Sequence, residues 1–277
     1  MANIKLITTF ENAKDYIKSV ENGEDMQESW QKYMIEPFWA DITQDANWNF
    51  MKPVPIKDIN ALKEQIKILS QLSIEELLSK FDKITELLPK NCIDPAHALV
   101  VVALYPACDS DKGLKENENG VRGCSPPGNV IININPLAQN YYAWIPYIFA
   151  HEYHHGVLGY NMWINGMELN GAFYERMIFE GQADFFAESV FPELKPQWNR
   201  PFDRETEAAL WERLKTDPSI HGASMFGDEN IGLPWCMGYA LGRAIVGDYM
   251  QKHPDTSFIE LIKTTPKDIL NGSRFKF

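Results

Sequence analysis

The sequence predicts an α+β fold, mostly helical, with a small sheet placed before the midpoint of the chain. Apolar runs of strand type occur only at 97–106 and 129–135, whereas helical periodicity fills most of the first ninety residues and dominates from about Ala143 onward. Strands gathered in one stretch and helices in others point to segregated layers rather than alternating α/β units. The 277 residues are 45% apolar and include 8 Trp, 11 Tyr and 15 Phe, which supplies a sizeable core and excludes a disordered chain.

Taken in order, residues 59–88 carry Leu62, Ile66 and Leu69, then Leu77, Phe81, Ile84 and Leu88, at helical spacing. Ser73 followed by Glu76 predicts a capping box at the start of the second of these helices. Pro53, Pro55 and Pro89 punctuate the segment. HALVVVALYP, at 97–106, is short, continuous and rich in Val, as a buried strand is. A Gly/Asn/Asp-rich loop follows at 109–128, broken by Pro126 and Pro127. At 129–135, Val130, Ile132 and Ile134 alternate with Asn129, Ile131, Asn133 and Asn135, predicting a half-buried strand at a sheet edge. Helices are expected at 145–159, 171–190, 203–215, 237–252 and 256–263. The change of character near residue 95 sets a helix-rich N-terminal region, 1–95, apart from the remainder, 96–277.

Composition narrows the function. With 26 basic against 38 acidic side chains the net charge is −12, the wrong sign for a nucleic acid backbone. No run reaches 18 apolar residues, so no membrane span is expected. Glu11, Lys14 and Asp15 interrupt the N-terminus before an apolar run of leader length, which predicts a soluble, cytoplasmic protein. Cys92, Cys108, Cys124 and Cys236 lack CxxC spacing and are read as free thiols.

The chemistry concentrates at 147–155, YIFAHEYHH, which contains HExxH as His151, Glu152 and His155. Residues four apart share a helix face, so both imidazoles can reach one metal ion. Glu152 is turned about 100° around the axis, where its carboxylate can take a proton from water beside that ion. With 6 His and 22 Glu, a shuffled chain would show this motif roughly 0.01 times. The plainer alternative is a structural helix with histidines on a polar face, and His154 reads as a neighbour of the pair rather than a ligand.

A catalytic zinc site needs a third protein ligand and an open position. The metzincin pattern would require Gly at position 158 and His at position 161, and the chain has Leu158 and Asn161. Downstream carboxylates remain: Glu168, Glu175 and Glu180. Glu180 stands out in EGQAD, where it shares a helix face with Asp184, so that one carboxylate can bind metal while the other orients a ligand histidine. Gly181 is expected to let this helix approach the HExxH helix closely. Tyr239, in GYALG, is a candidate oxyanion donor, with a core tyrosine as the alternative reading and His221 as a rival donor. His97, at the start of an apolar strand, reads as structural.

HEYHH, FEGQAD and GYALG together resemble the YjaZ-type family of predicted bacterial zinc-dependent proteases, and the ending PKDILNGSRF is similar as well. The resemblance covers roughly residues 96–277. It implies a zincin-like, gluzincin-type metallopeptidase domain over that region, with Zn2+ held by His151, His155 and Glu180. In the same reading Glu152 is the base and Asp184 orients a ligand.

The expected activity is zinc-dependent hydrolysis of a peptide or protein substrate, with Glu152 passing a proton from water to the leaving amine. The strand at 129–135 is expected to pair with an extended substrate. The competing reading is a metal-bound, non-proteolytic binding or regulatory module in which the acidic loop 109–120 occludes the cleft. Hydrolysis of a non-peptide amide or ester is a third. Oligomeric state is not legible in the sequence.

Overall fold

One strand lies where the periodicity points only to helix. The computed structural model describes residues 3–89, 99–108, 110–167 and 169–277, and its first element is β1 (Asn3–Thr8). It is followed by α1 (Ala13–Glu21), α2 (Met26–Trp30), a π-helical turn at Gln31–Ile35 and α3 (Glu36–Ile42). Then come α4 (Ile59–Leu69), α5 (Ile74–Leu87), β2 (Leu99–Pro106), α6 (Lys112–Asn117), β3 (Val121–Cys124) and β4 (Val130–Ile134). α7 (Tyr141–Ile164) carries the HExxH residues. After it come α8 (Phe173–Val190), α9 (Arg204–Thr216), α10 (Met237–Lys252), α11 (Phe258–Lys263) and α12 (Pro266–Gly272). The α+β class holds: helices predominate and one small mixed sheet precedes α7. Cys92 and His97, the break near residue 95 and Glu168 lie outside the described residues.

The chain forms two compact units, Met1–Gly156 and Val157–Phe277. In the first, the four strands run in the order β1-β2-β4-β3. β1 and β4 flank β2 in parallel, and β3 pairs antiparallel with β4, Gly123 standing opposite Ile132. This corrects the expectation for 129–135. β4 is hydrogen-bonded on both sides, and Val130, Ile131 and Ile132 are all buried. It is an inner strand and offers no edge to a substrate. The neighbour that covers it comes from the segment read as a loop, where Gly120, Gly123 and two prolines mask a four-residue strand. The side chain of Asn129 is also occupied: its Oδ1 accepts from the Val101 N–H at 2.8 Å, and its Nδ2 donates to the Ile42 carbonyl at 2.7 Å.

The acidic stretch before β3 is folded as well. Arg122 pairs with Asp111 at 2.9 Å and with Glu118 at 2.5 Å, tying both ends of α6 to the strand. Half of the predicted capping box forms at α5: Ser73 accepts from the Glu76 N–H at 3.3 Å. The Glu76 carboxylate pairs with Lys80 at 2.8 Å. Phe81 of α5 stacks on Phe149 of α7 with ring centroids 4.0 Å apart, and the Tyr153 hydroxyl donates to the Leu88 carbonyl at 2.8 Å. These contacts hold α7 against α5 even though Pro146 lies inside the helix and removes one rung of its hydrogen-bond ladder.

The second unit is built around α8 and α10. Met177, Trp211, Leu241, Ile245, Leu261 and Phe275 belong to one buried apolar cluster. The tail closes over this core through Arg274, which pairs with Asp248 at 2.9 Å and with Glu207. Gly181 serves a different contact from the one expected of it. A Cβ at that position would collide with the backbone of Gly242 and stand 2.7 Å from the Arg243 nitrogen, so the glycine brings α8 against α10. Among the described residues Cys108, Cys124 and Cys236 form no disulfide, and no helix is long and apolar enough to cross a membrane.

Candidate metal centre

α7 is apolar on most sides, and its histidines therefore sit in a buried environment. Ile145, Tyr147, Phe149 and Ala150 are fully buried, and the next turn leaves His151, Glu152 and His155 only 6%, 8% and 8% exposed. The four-residue spacing brings the Nε2 atoms of His151 and His155 to 3.0 Å. At that separation one ring donates to the other, or both present lone pairs to a shared cation at the Zn–N distance of about 2.0–2.1 Å.

Glu180 supplies the acidic member. One nitrogen from each of His151 and His155 and one carboxylate oxygen of Glu180 all lie within 4.8 Å of one another. Two imidazoles and a carboxylate form a donor set suited to zinc. The other candidates are engaged elsewhere or lie outside view. Glu175 caps its own helix, accepting from the Ala172 N–H at 3.2 Å, and Glu168 is not among the described residues. His154 is fully buried. Burial, reinforced by His155 and His151, holds its pKa well below the usual imidazole value, so it is neutral.

Asp184, one turn beyond Glu180 on α8, is completely buried and accepts from Trp198 Nε1 at 3.1 Å. No spacing rule in the sequence points to Trp198, which reaches Asp184 through the turn after α8. Tyr239 lies in the first turn of α10, half-buried, with its ring 6.0 Å from that of Phe226. His221 places Nε2 2.7 Å from the Leu214 carbonyl and packs its ring on Phe173 at 4.5 Å, a structural setting.

Glu152 has its own surroundings within the first unit. Gly123 of β3 lies directly against it, and Cys124 is near enough to feel its charge. Burial first, and the Glu152 carboxylate second, push the Cys124 thiol up to about 12, so this sulfur is protonated and non-nucleophilic at neutral pH.

Residues 80–271 match a family described as Predicted Zn-dependent protease (DUF2268). A curated relative, the Uncharacterized protein YjfC of Bacillus subtilis (strain 168), is 31% identical over 165 residues, or 54% of this chain and 53% of its own length. The chain thus spans about half of that relative. No solved structure gives a significant match.

Proposed function

Because this chain belongs to the family of predicted Zn-dependent proteases, we propose that it is a zinc-dependent peptidase with Glu152 as its general base. The observation that carries this reading is the donor set of His151, His155 and Glu180, within 4.8 Å of one another. Those three side chains would hold the metal. Bound zinc supplies Lewis acidity, lowering the pKa of water towards 7 and polarising a carbonyl.

The remaining work belongs to the protein's own groups. Glu152 accepts a proton from the attacking water and returns it to the leaving amine, so that the amine departs neutral. Its burial excludes bulk water from that exchange. Asp184, held by Trp198, orients a ligand imidazole. Tyr239 donates a hydrogen bond to the oxygen that becomes negative during attack. β3 is the sheet's outer strand on this side, and its backbone is the edge along which an extended peptide or protein substrate would pair.

Glu152→Gln tests the reading. The variant is expected to keep its zinc, measured by elemental analysis, and to lose at least about 100-fold in hydrolysis of a peptide panel. A chelator-treated control sets the background. A variant as fast as the parent removes Glu152 from the role. A parent that is inactive on every peptide at full zinc occupancy is instead a metal-bound binding module.

A further inference from the structure

Gly123 stands on the edge strand, and nothing in its backbone demands a glycine: it is not among the residues with positive φ. Glycine weakens a strand, and it persists inside one where another group approaches closely. At Gly123 the approaching group is Glu152. A Cβ at this position would overlap Cγ of Glu152, and it would stand 2.8 Å from Glu152 Oε1 and 2.7 Å from Ile148 Cγ2. Optimal carbon contacts lie at about 3.5–4.0 Å, so there is no room for it. Among the tightly packed glycines of the helices, Gly181, Gly238 and Gly242 meet mainly backbone, and Gly247 and Gly272 meet the side chains of Arg243 and Tyr249. Gly123 instead meets the side chain proposed to act on water.

We infer that Gly123 is a positioning residue for Glu152: the missing side chain leaves a slot, walled by β3 and Ile148, that holds the glutamate in one conformation. The inference rests on the reading of Glu152 as general base. A glutamate has several accessible rotamers, and confining it to one removes freedom that would otherwise be lost during reaction. The overlapping atoms are side-chain atoms, so an added methyl displaces the carboxylate rather than the strand.

Two double-mutant cycles test this. In the metal-free protein, Gly123→Ala is expected to lower Tm, and the loss should shrink by half or more in a Glu152→Ala background, where two of the three close atoms are gone and only Ile148 Cγ2 remains. If Gly123→Ala alone fails to fold, the proposal requires that Gly123→Ala/Glu152→Ala fold. Equal Tm losses in both backgrounds, or failure of both chains to fold, overturn it.

In the zinc-loaded protein, Gly123→Ala should lower kcat by about 10- to 100-fold, with KM within about two-fold and zinc content unchanged. In a Glu152→Gln background it should cost nothing further. Losses that multiply, or an unchanged kcat, refute the positioning role. If Glu152→Gln is as active as the parent, the general-base reading falls, and the stability cycle still reports whether the slot exists.

Discussion

Glu180 is half-buried and has a carboxylate oxygen within 4.8 Å of the His151 and His155 nitrogens, whereas Asp184, one turn on, is fully buried and accepts a hydrogen bond from Trp198. Glu180→Ala is expected to weaken zinc retention by more than the roughly 10- to 100-fold that loss of an outer hydrogen-bond partner costs. Equilibrium dialysis against a competing chelator measures it, and unchanged affinity would remove Glu180 from the donor set. At this scale the sequence was informative where chemistry follows helical spacing: His151, Glu152 and His155 are one motif, and Glu180 and Asp184 are one turn apart. It was silent on Gly123 and Trp198. The first lies between glycines and prolines that read as a loop, and the second acts across a turn of no fixed length.

Among the elements, the crossing of α8 and α10 is the tightest constraint around Glu180. A Cβ on Gly242 would collide with the Met177 carbonyl oxygen and lie 2.6 Å from its carbon, and backbone cannot swing aside as a side chain does. Gly242→Ala should therefore destabilise the protein by about 1–3 kcal/mol, the usual cost of overpacking. Gly159→Ala is the contrast: this α7 glycine has nothing within 4 Å of a prospective Cβ. It should gain up to about 1 kcal/mol from helix propensity. Denaturant unfolding of the two variants decides the matter, and the same sign for both would contradict the contacts. The helices from α7 to α11 were legible as helical patterns, whereas α12 lies outside every segment expected to be helical. β1 and β3 were not legible as strands: β3 has four residues among turn formers, and β1 lies in a stretch whose dominant pattern is helical.

For the molecule as a whole, the acidic composition makes carboxylate ionisation the main coupling of stability to pH. Burial pushes the Asp248 carboxyl up, but hydrogen bonds from Lys252 and from the side chain and backbone N–H of Arg274 outweigh it and hold the pKa below the usual value. A depressed folded pKa contributes stability that is fully present above the unfolded value of about 3.9 and is lost as pH falls through the folded one. Melting curves should thus show an acid-side fall in Tm below about pH 4, and Asp248→Asn should flatten part of it. An identical acid limb in the variant would show that the C-terminal clasp of Arg274 adds nothing.

What the amino-acid order determined by itself is local: helical faces, the cap at Ser73, and two imidazoles and a carboxylate set on one turn. Covalent neighbours and the pitch of a helix suffice for these. Only the tertiary structure decided that β4 is an inner strand, that β3 is an outer one, that Gly181 serves α10, and that Gly123 makes room for Glu152. Each of those depends on segments separated along the chain, whose approach is set by strand pairing and backbone packing rather than by any repeat that a single segment carries.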